Sequence, residues 1–145
     1  MVWYFAYGSN LDEERMKERV GVIKNRVKGV LRGYVLKFNK KSRNPGEGYA
    51  NVEPASDGCV EGAAYEINDI VPLDRYEGVP EHYLRVTLPI GTERGVLNCE
   101  VYIANKAMIG GNLRPTKAYL QHLLKGKDLL SHEYFAMLEK TPTLD

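Results

Sequence analysis

The sequence has only two cysteines in 145 residues, Cys59 and Cys99. They form no C-x-x-C pair, which excludes a disulfide framework and a cysteine-based metal knuckle. Each lies in a strand-like run, and the expectation at both positions is a small buried hydrophobe. His82, His122 and His132 are scattered, and none makes an i, i+4 pair with another ligand, so no metal site is expected. No apolar run approaches the roughly 18 residues needed to span a bilayer, so no membrane segment is expected. The N-terminus lacks a basic region followed by a small-residue cleavage site, so no secretory signal is expected and the cytoplasm is the expected compartment. An excess of one charge is missing too. The 20 lysines and arginines balance the 19 aspartates and glutamates to a net charge of +1, which leaves no global field favouring nucleic acid or an acidic membrane. A P-loop, a dinucleotide fingerprint and a nucleophile elbow are all absent.

The bulk composition is that of a soluble globular chain, with 43% hydrophobic and 27% charged residues. With no internal repeat and no linker, residues 1–145 read as one domain, long enough to bury a core without staples. The first ten residues organise the reading. Val2-Trp3-Tyr4-Phe5-Ala6-Tyr7 has strand propensity, and it stops at Gly8-Ser9-Asn10 before the charged stretch Leu11-Asp12-Glu13-Glu14-Arg15. Asn10 is a good N-cap and Glu13 stands where a capping-box acid belongs, which predicts strand, glycine turn and helix start in succession. Such a junction can aim backbone N–H groups at an anion or a polarised carbonyl oxygen. The same residues also make an ordinary β-α connection containing a glycine.

Further on, Met16, Val20 and Ile23 can line a short helix that Gly21 ends. Val30 to Asn39 alternates as a strand, and Lys40 to Gly48 reads as a charged loop. Tyr49 to Glu53 predicts a short strand ended by Pro54. Asp57-Gly58 predicts a hairpin tip, followed by a strand from Cys59 to Ile67. Asp69 to Tyr76 has the marks of a two-turn helix: Asp69 as cap, Pro72 in the first turn and Gly78 as stop. Tyr83 to Ile90 and Val96 to Ala104 predict an antiparallel pair. On the first strand Leu84, Val86, Leu88 and Ile90 share a face opposite Tyr83. Two tail helices follow, one with Tyr119, Leu120, Leu123 and Leu124, the other capped by Ser131. Short strands with tight turns and helices in the tail define an α+β fold with a mostly antiparallel sheet.

Three groups of residues carry candidate chemistry. Glu77 falls at a predicted helix C-terminus, where the macrodipole disfavours a carboxylate. Partial desolvation there would raise its pKa further, toward the range of a general acid/base. A solvated glutamate at a frayed helix end has the same sequence pattern. Tyr83 and Tyr102, among ten tyrosines, occupy the less apolar faces of adjacent strands, where they can line a pocket or simply pack one side of a sheet. The basic run Lys37, Lys40, Lys41 and Arg43 lacks interleaved aromatics and reads as a solvated loop rather than a phosphate site.

Taken together, Tyr4-Phe5-Ala6-Tyr7-Gly8-Ser9-Asn10-Leu11 and Leu73-Asp74-Arg75-Tyr76-Glu77-Gly78-Val79 closely resemble the γ-glutamylcyclotransferase (AIG2-like) family. Tyr49-Ala50-Asn51-Val52, Val60 to Tyr65, Tyr102, Arg114 to Tyr119 and Leu130 to Leu138 extend the resemblance nearly end to end. It implies a small mixed, mostly antiparallel β-barrel with flanking helices. It also implies an intramolecular reaction, in which the α-amino group of a γ-glutamyl unit attacks its own side-chain carbonyl. The products are 5-oxoproline and a released amino acid, peptide or amine. By this resemblance Glu77 is the acid/base. Tyr7, Gly8, Ser9 and Asn10 form the substrate-binding loop, Tyr83, Tyr102 and Tyr119 wall the pocket, and no cofactor is required. The implied partner is a small γ-glutamyl molecule. The sequence does not indicate the leaving group or the oligomeric state. Alternatives are a relative that removes a γ-glutamyl group from a larger biosynthetic intermediate, and a non-catalytic module binding a small anionic metabolite. The sequence departs from the family pattern in a slightly shorter Glu77–Tyr83 segment, Gly48-Tyr49 in place of a double glycine, and Ser131 in place of proline.

Overall fold

The computed structural model describes residues 1–145. Strand β1 (Val2–Ala6) leads through a 3-10 turn (Ser9–Leu11) into helix α1 (Glu13–Val20). Two long strands follow, β2 (Ile23–Lys41) and β3 (Gly48–Ile67), then helix α2 (Val71–Glu77). Strands β4 (Tyr83–Thr92) and β5 (Gly95–Ala104) and helices α3 (Lys117–Leu124) and α4 (His132–Glu139) complete the chain. The five strands close a barrel in the order β1-β3-β2-β4-β5. Neighbours are antiparallel except at the closure, where β1 runs parallel to β5 with Tyr4 opposite Glu100. The α+β barrel expected from the sequence is therefore the observed architecture.

Alternation along the strands sorts the core into two layers, because successive side chains point to opposite faces. Phe5, Val27, Leu31, Val52, Val60, Ala64, Ile90, Cys99 and Val101 come from strands alone and fill the barrel. Tyr4, Ala6, Ala63, Tyr65 and Ile67 face the other way and pack with Leu11, Met16, Leu73, Leu123 and Leu138 from the turn and helices. Leu73 is fully buried and anchors α2, each such side chain stabilising the fold by about 1.5–3 kcal/mol.

Several local expectations are corrected. Helix α1 is capped by Asp12, whose carboxylate accepts from the Glu14 and Arg15 N–H groups at 3.2 and 3.4 Å. Asn10 is not the cap and Glu13 closes no capping box. The Asn10 side chain is buried and bonded elsewhere, so the chain makes the 3-10 turn first. Strand β2 begins at Ile23 and runs to Lys41, leaving a loop of only residues 42–47. Pro54 does not end a strand and Asp57-Gly58 is not a hairpin tip. Both lie within β3, which pairs with β2 on either side of them. Arg32 faces Cys59 while Tyr34 faces Pro54, so Ala55 to Gly58 bulge out opposite Gly33, a distortion that accommodates the proline and the turn-forming pair without ending the ladder. Cys99 is buried as expected, but Cys59, next to the bulge, is exposed. On β4, Leu84 and Val86 stay exposed while Ile90 is buried. That strand meets β2 only near its end, at Val30 and Gly91, so its first half has a partner on one side alone. The Gly21 stop, Pro72 in the first turn of α2 with Gly78 after its end, and the Ser131 cap of α4 are as the sequence indicates. Asp69 is not the cap of α2: the helix starts at Val71 with Ile70 before it, and the Asp69 carboxylate accepts from the Val71 N–H at 3.0 Å from one residue further out.

Candidate active site

A cleft of about 840 Å³ lies between the end of β1, helices α1, α2 and α3, and residues of β2 to β5. Glu77, Tyr7, Gly8, Ser9, Asn10, Tyr83, Tyr102 and Tyr119, drawn from five separate segments, all line it. The structure thus brings together every residue singled out from the sequence.

The loop after β1 is held from below. The N–H groups of Leu11 and Asp12 bond back to the Gly8 and Ser9 carbonyls at 3.0 and 3.2 Å, so the preceding N–H groups of Gly8, Ser9 and Asn10 are not the donors that close this turn. Gly8 sits against the wall, where an added Cβ would lie 3.2 Å from both the Ala50 Cβ and the Tyr119 hydroxyl. Only glycine fits without displacing one of them. Asn10 donates from Nδ2 to the Tyr4 hydroxyl at 3.1 Å, accepts from Arg19 at 3.0 Å on Oδ1, and accepts from Tyr65 at 2.8 Å on its carbonyl. Its side chain positions the loop and its neighbours instead of reaching freely into the cavity.

Most of the tyrosine hydroxyls are also committed. Tyr83 donates to the Ala50 carbonyl at 2.7 Å, Tyr102 donates to Asp74 at 2.7 Å, and Tyr7 donates to the Tyr102 carbonyl. A phenol has one proton, so these three offer a ligand their rings and lone pairs. Tyr119 differs: it accepts from the Ala50 N–H at 3.0 Å and keeps its own proton to give. Burial pushes the pKa values of Tyr7, Tyr83, Tyr102 and Tyr119 upward, and all four stay protonated near neutral pH.

Glu77 is the last residue of α2, followed by Gly78 in the left-handed region at φ 64°. It is half-buried, facing the cavity, and is the only aspartate or glutamate lining it. No ion pair forms at its carboxylate, and no hydrogen bond within the protein shapes its titration. Desolvation pushes its pKa up to about 7, against the pull of Arg19, Arg15 and Lys40. Of the two causes the sequence points to, desolvation and the helix terminus, desolvation is the one seen to raise it.

Tyr4, Arg15, Arg19 and Lys40 also line the cavity, although the sequence did not mark them as site residues. Arg15 and Arg19 are four apart on α1, a spacing that puts them on one helix face beside the loop, and that spacing was the available signal. Lys40 corrects the solvated-loop reading. It lies in β2 and is 4% exposed, its ammonium 2.8 Å from His82 Nδ1 and 3.0 Å from the Lys41 carbonyl. The rings of Tyr49 and Tyr83 each lie 5.7 Å from it, and burial pulls its pKa down. No cluster of histidine, cysteine, aspartate and glutamate side chains is arranged to hold a metal.

Solved structures of known proteins share this architecture. A structure titled "Gamma-glutamyl cyclotransferase" matches with a TM-score of 0.88 and 24% identity, over 99% of this chain and 89% of that one. An uncharacterised protein from Homo sapiens gives 0.88 and 25% over the same shares. A yeast γ-glutamyl cyclotransferase specific to glutathione gives 0.69 and 15%, over 94% of this chain and 95% of that one. Comparison with curated proteins finds no match. The family described as "Gamma-glutamyl cyclotransferase, AIG2-like" matches residues 4–139, nearly the whole length, and the chain belongs to that family.

Proposed function

We propose that this protein is a γ-glutamyl cyclotransferase, a single family domain over residues 1–145, converting a small γ-glutamyl molecule to 5-oxoproline and a free amine. The observation that carries the reading is the state of Glu77: one unpaired carboxylate, desolvated to a pKa of about 7, in a cavity with no other acid. A proton carrier works best near the ambient pH. Glu77 takes a proton as the α-amino nitrogen attacks the side-chain carbonyl carbon and the C–N bond of the ring forms. It returns a proton to the leaving nitrogen as the original amide bond breaks, so that one carboxylate serves both steps and ends as it began. The N–H groups of the Tyr7 to Asn10 loop stabilise the oxygen that gains charge between them. The rings of Tyr83, Tyr102 and Tyr119 hold the glutamyl chain folded, so that amine and carbonyl meet. The reaction needs no cofactor, and the proposed setting is the cytoplasm.

A purely binding role gains nothing from an unpaired, poorly stabilised carboxylate, which favours the catalytic reading. The test is 5-oxoproline release from a panel of γ-glutamyl amino acids, peptides and amines. Release from at least one member, lost in Glu77→Gln with the fold intact, is expected. Equal rates for the two proteins would overturn the mechanism. A panel that binds but is never cyclised would overturn the enzymatic assignment.

A further inference from the structure

The charge of the cavity is unlike that of the chain. Six of the 20 lysines and arginines line it, Arg15, Arg19, Lys40, Lys41, Arg43 and Arg75, against one of the 19 acids. A chain of net charge +1 has therefore concentrated cations at one place. None of the six joins an ion pair. The basic side chains that meet carboxylates elsewhere in the molecule are Lys17, Arg26, Lys28, Arg85 and His122. The one fully buried acid of the chain, Glu47, accepts on Oε1 from the Ser42 hydroxyl at 2.6 Å and from the Asn44 amide at 2.9 Å. It fixes the loop beside Lys41 and Arg43 without neutralising them. The Arg15 Nε is buried with no hydrogen-bond partner. Leaving like charges together and unpaired costs stability, so an anionic ligand would relieve the arrangement.

The six fall into two groups by depth. Lys40 is buried and Arg15 and Arg19 are half-buried, and these three act on Glu77. Lys41, Arg43 and Arg75 are exposed at the mouth. A γ-glutamyl unit brings one carboxylate and one amine. Its carboxylate can answer the inner group, but it has nothing for the outer one. The unit must be enclosed for its amine and carbonyl to meet at Glu77, so the leaving portion extends toward the mouth. We propose that the physiological substrate carries an acidic leaving amine with at least two negative charges, such as an amino dicarboxylic acid or a short acidic peptide, received by Lys41, Arg43 and Arg75. This inference rests on the cyclotransferase reading for its orientation, and the charge preference itself can be read from binding alone.

The test uses four γ-glutamyl probes whose leaving portions differ in charge: the conjugates of aspartate, alanine, ethylamine and putrescine. Wild type is assayed for 5-oxoproline release, and Glu77→Gln for binding by calorimetry. Both kcat/KM and affinity are expected to fall in that order. Aspartate should exceed ethylamine by about tenfold or more, and the gap should close near 1 M salt, where charges are screened beyond about 3 Å. The double substitution Lys41→Gln with Arg43→Gln is expected to cut the aspartate preference several-fold. Turnover with a flat or reversed charge order would overturn this inference and leave the cyclotransferase reading standing. Binding in the expected order without turnover would support the acidic ligand and overturn the cyclisation reading. Neither turnover nor binding of any probe would overturn both.

Discussion

Asp74 and Glu77 stand three residues apart on the same short helix, yet the fold treats them in opposite ways. Asp74 faces the barrel wall, where its carboxylate accepts from Tyr102 at 2.7 Å and from Arg85 at 2.9 Å. Arg85 also pairs with Glu100 on β5, so this acid ties α2 to both β4 and β5. Glu77 faces the cavity with no hydrogen bond or ion pair of its own, and desolvation lifts its pKa to about 7. Two bonds hold the Asp74 carboxylate in place, while the unbonded carboxylate of Glu77, in a poorly solvated site, takes up a proton more readily than usual. The first acid fixes the helix that presents the second to the cavity.

The largest effect should come from removing the free acid. Glu77→Gln is expected to lower kcat for 5-oxoproline release by roughly 10²–10⁴-fold, the range for loss of a general acid/base, with an unchanged circular dichroism spectrum. The same substitution separates the two acids by stability. Between pH 4.5, the ordinary value, and about 7, folded Glu77 holds a proton that the unfolded chain has lost. Stability attributable to this residue therefore falls as pH rises through that window and levels off above it. Chemical denaturation should find Glu77→Gln more stable than wild type at pH 8, by on the order of 1–3 kcal/mol, and nearly equal at pH 4. Removing the bonded acid should do the reverse: Asp74→Ala is expected to cost about 1–3 kcal/mol, read as a lower denaturation midpoint. It should also lower kcat less than Glu77→Gln does. The smallest effect is expected at the loop. In Gly8→Ala the new Cβ presses on Ala50 and Tyr119 at 3.2 Å, a crowding worth about 1 kcal/mol, seen chiefly as a raised KM.

How far this pair could be read from the sequence depends on what each residue needs. Glu77 was legible because its signal is local: Pro72 and Gly78 bracket a helix, and the acid falls at the unfavourable end. Gly8 was legible for the same reason. Asp74 was not, since its partners lie 11 and 28 residues away on other strands. The capping of α1 was misplaced by two residues. Asn10 and Asp12 are both good caps, and what decides between them is the tertiary engagement of Asn10 with Tyr4 and Arg19. The closed barrel likewise overrode the local stop signals at Pro54 and Asp57-Gly58 by absorbing four residues into a bulge. Lys40 was hidden most completely, because its neighbours in sequence are loop-like while its neighbours in space are His82 and the rings of Tyr49 and Tyr83.

The central claim is that Glu77 carries the proton of a cyclisation. The most direct measurement is the pH dependence of kcat/KM for 5-oxoproline release, in wild type and Glu77→Gln side by side. If Glu77 carries the proton, the wild-type rate falls about tenfold per unit as pH drops below about 7, and the variant keeps a residual rate without that limb. A wild-type profile flat from pH 5 to 8, or a variant that keeps both the rate and the limb, would contradict it.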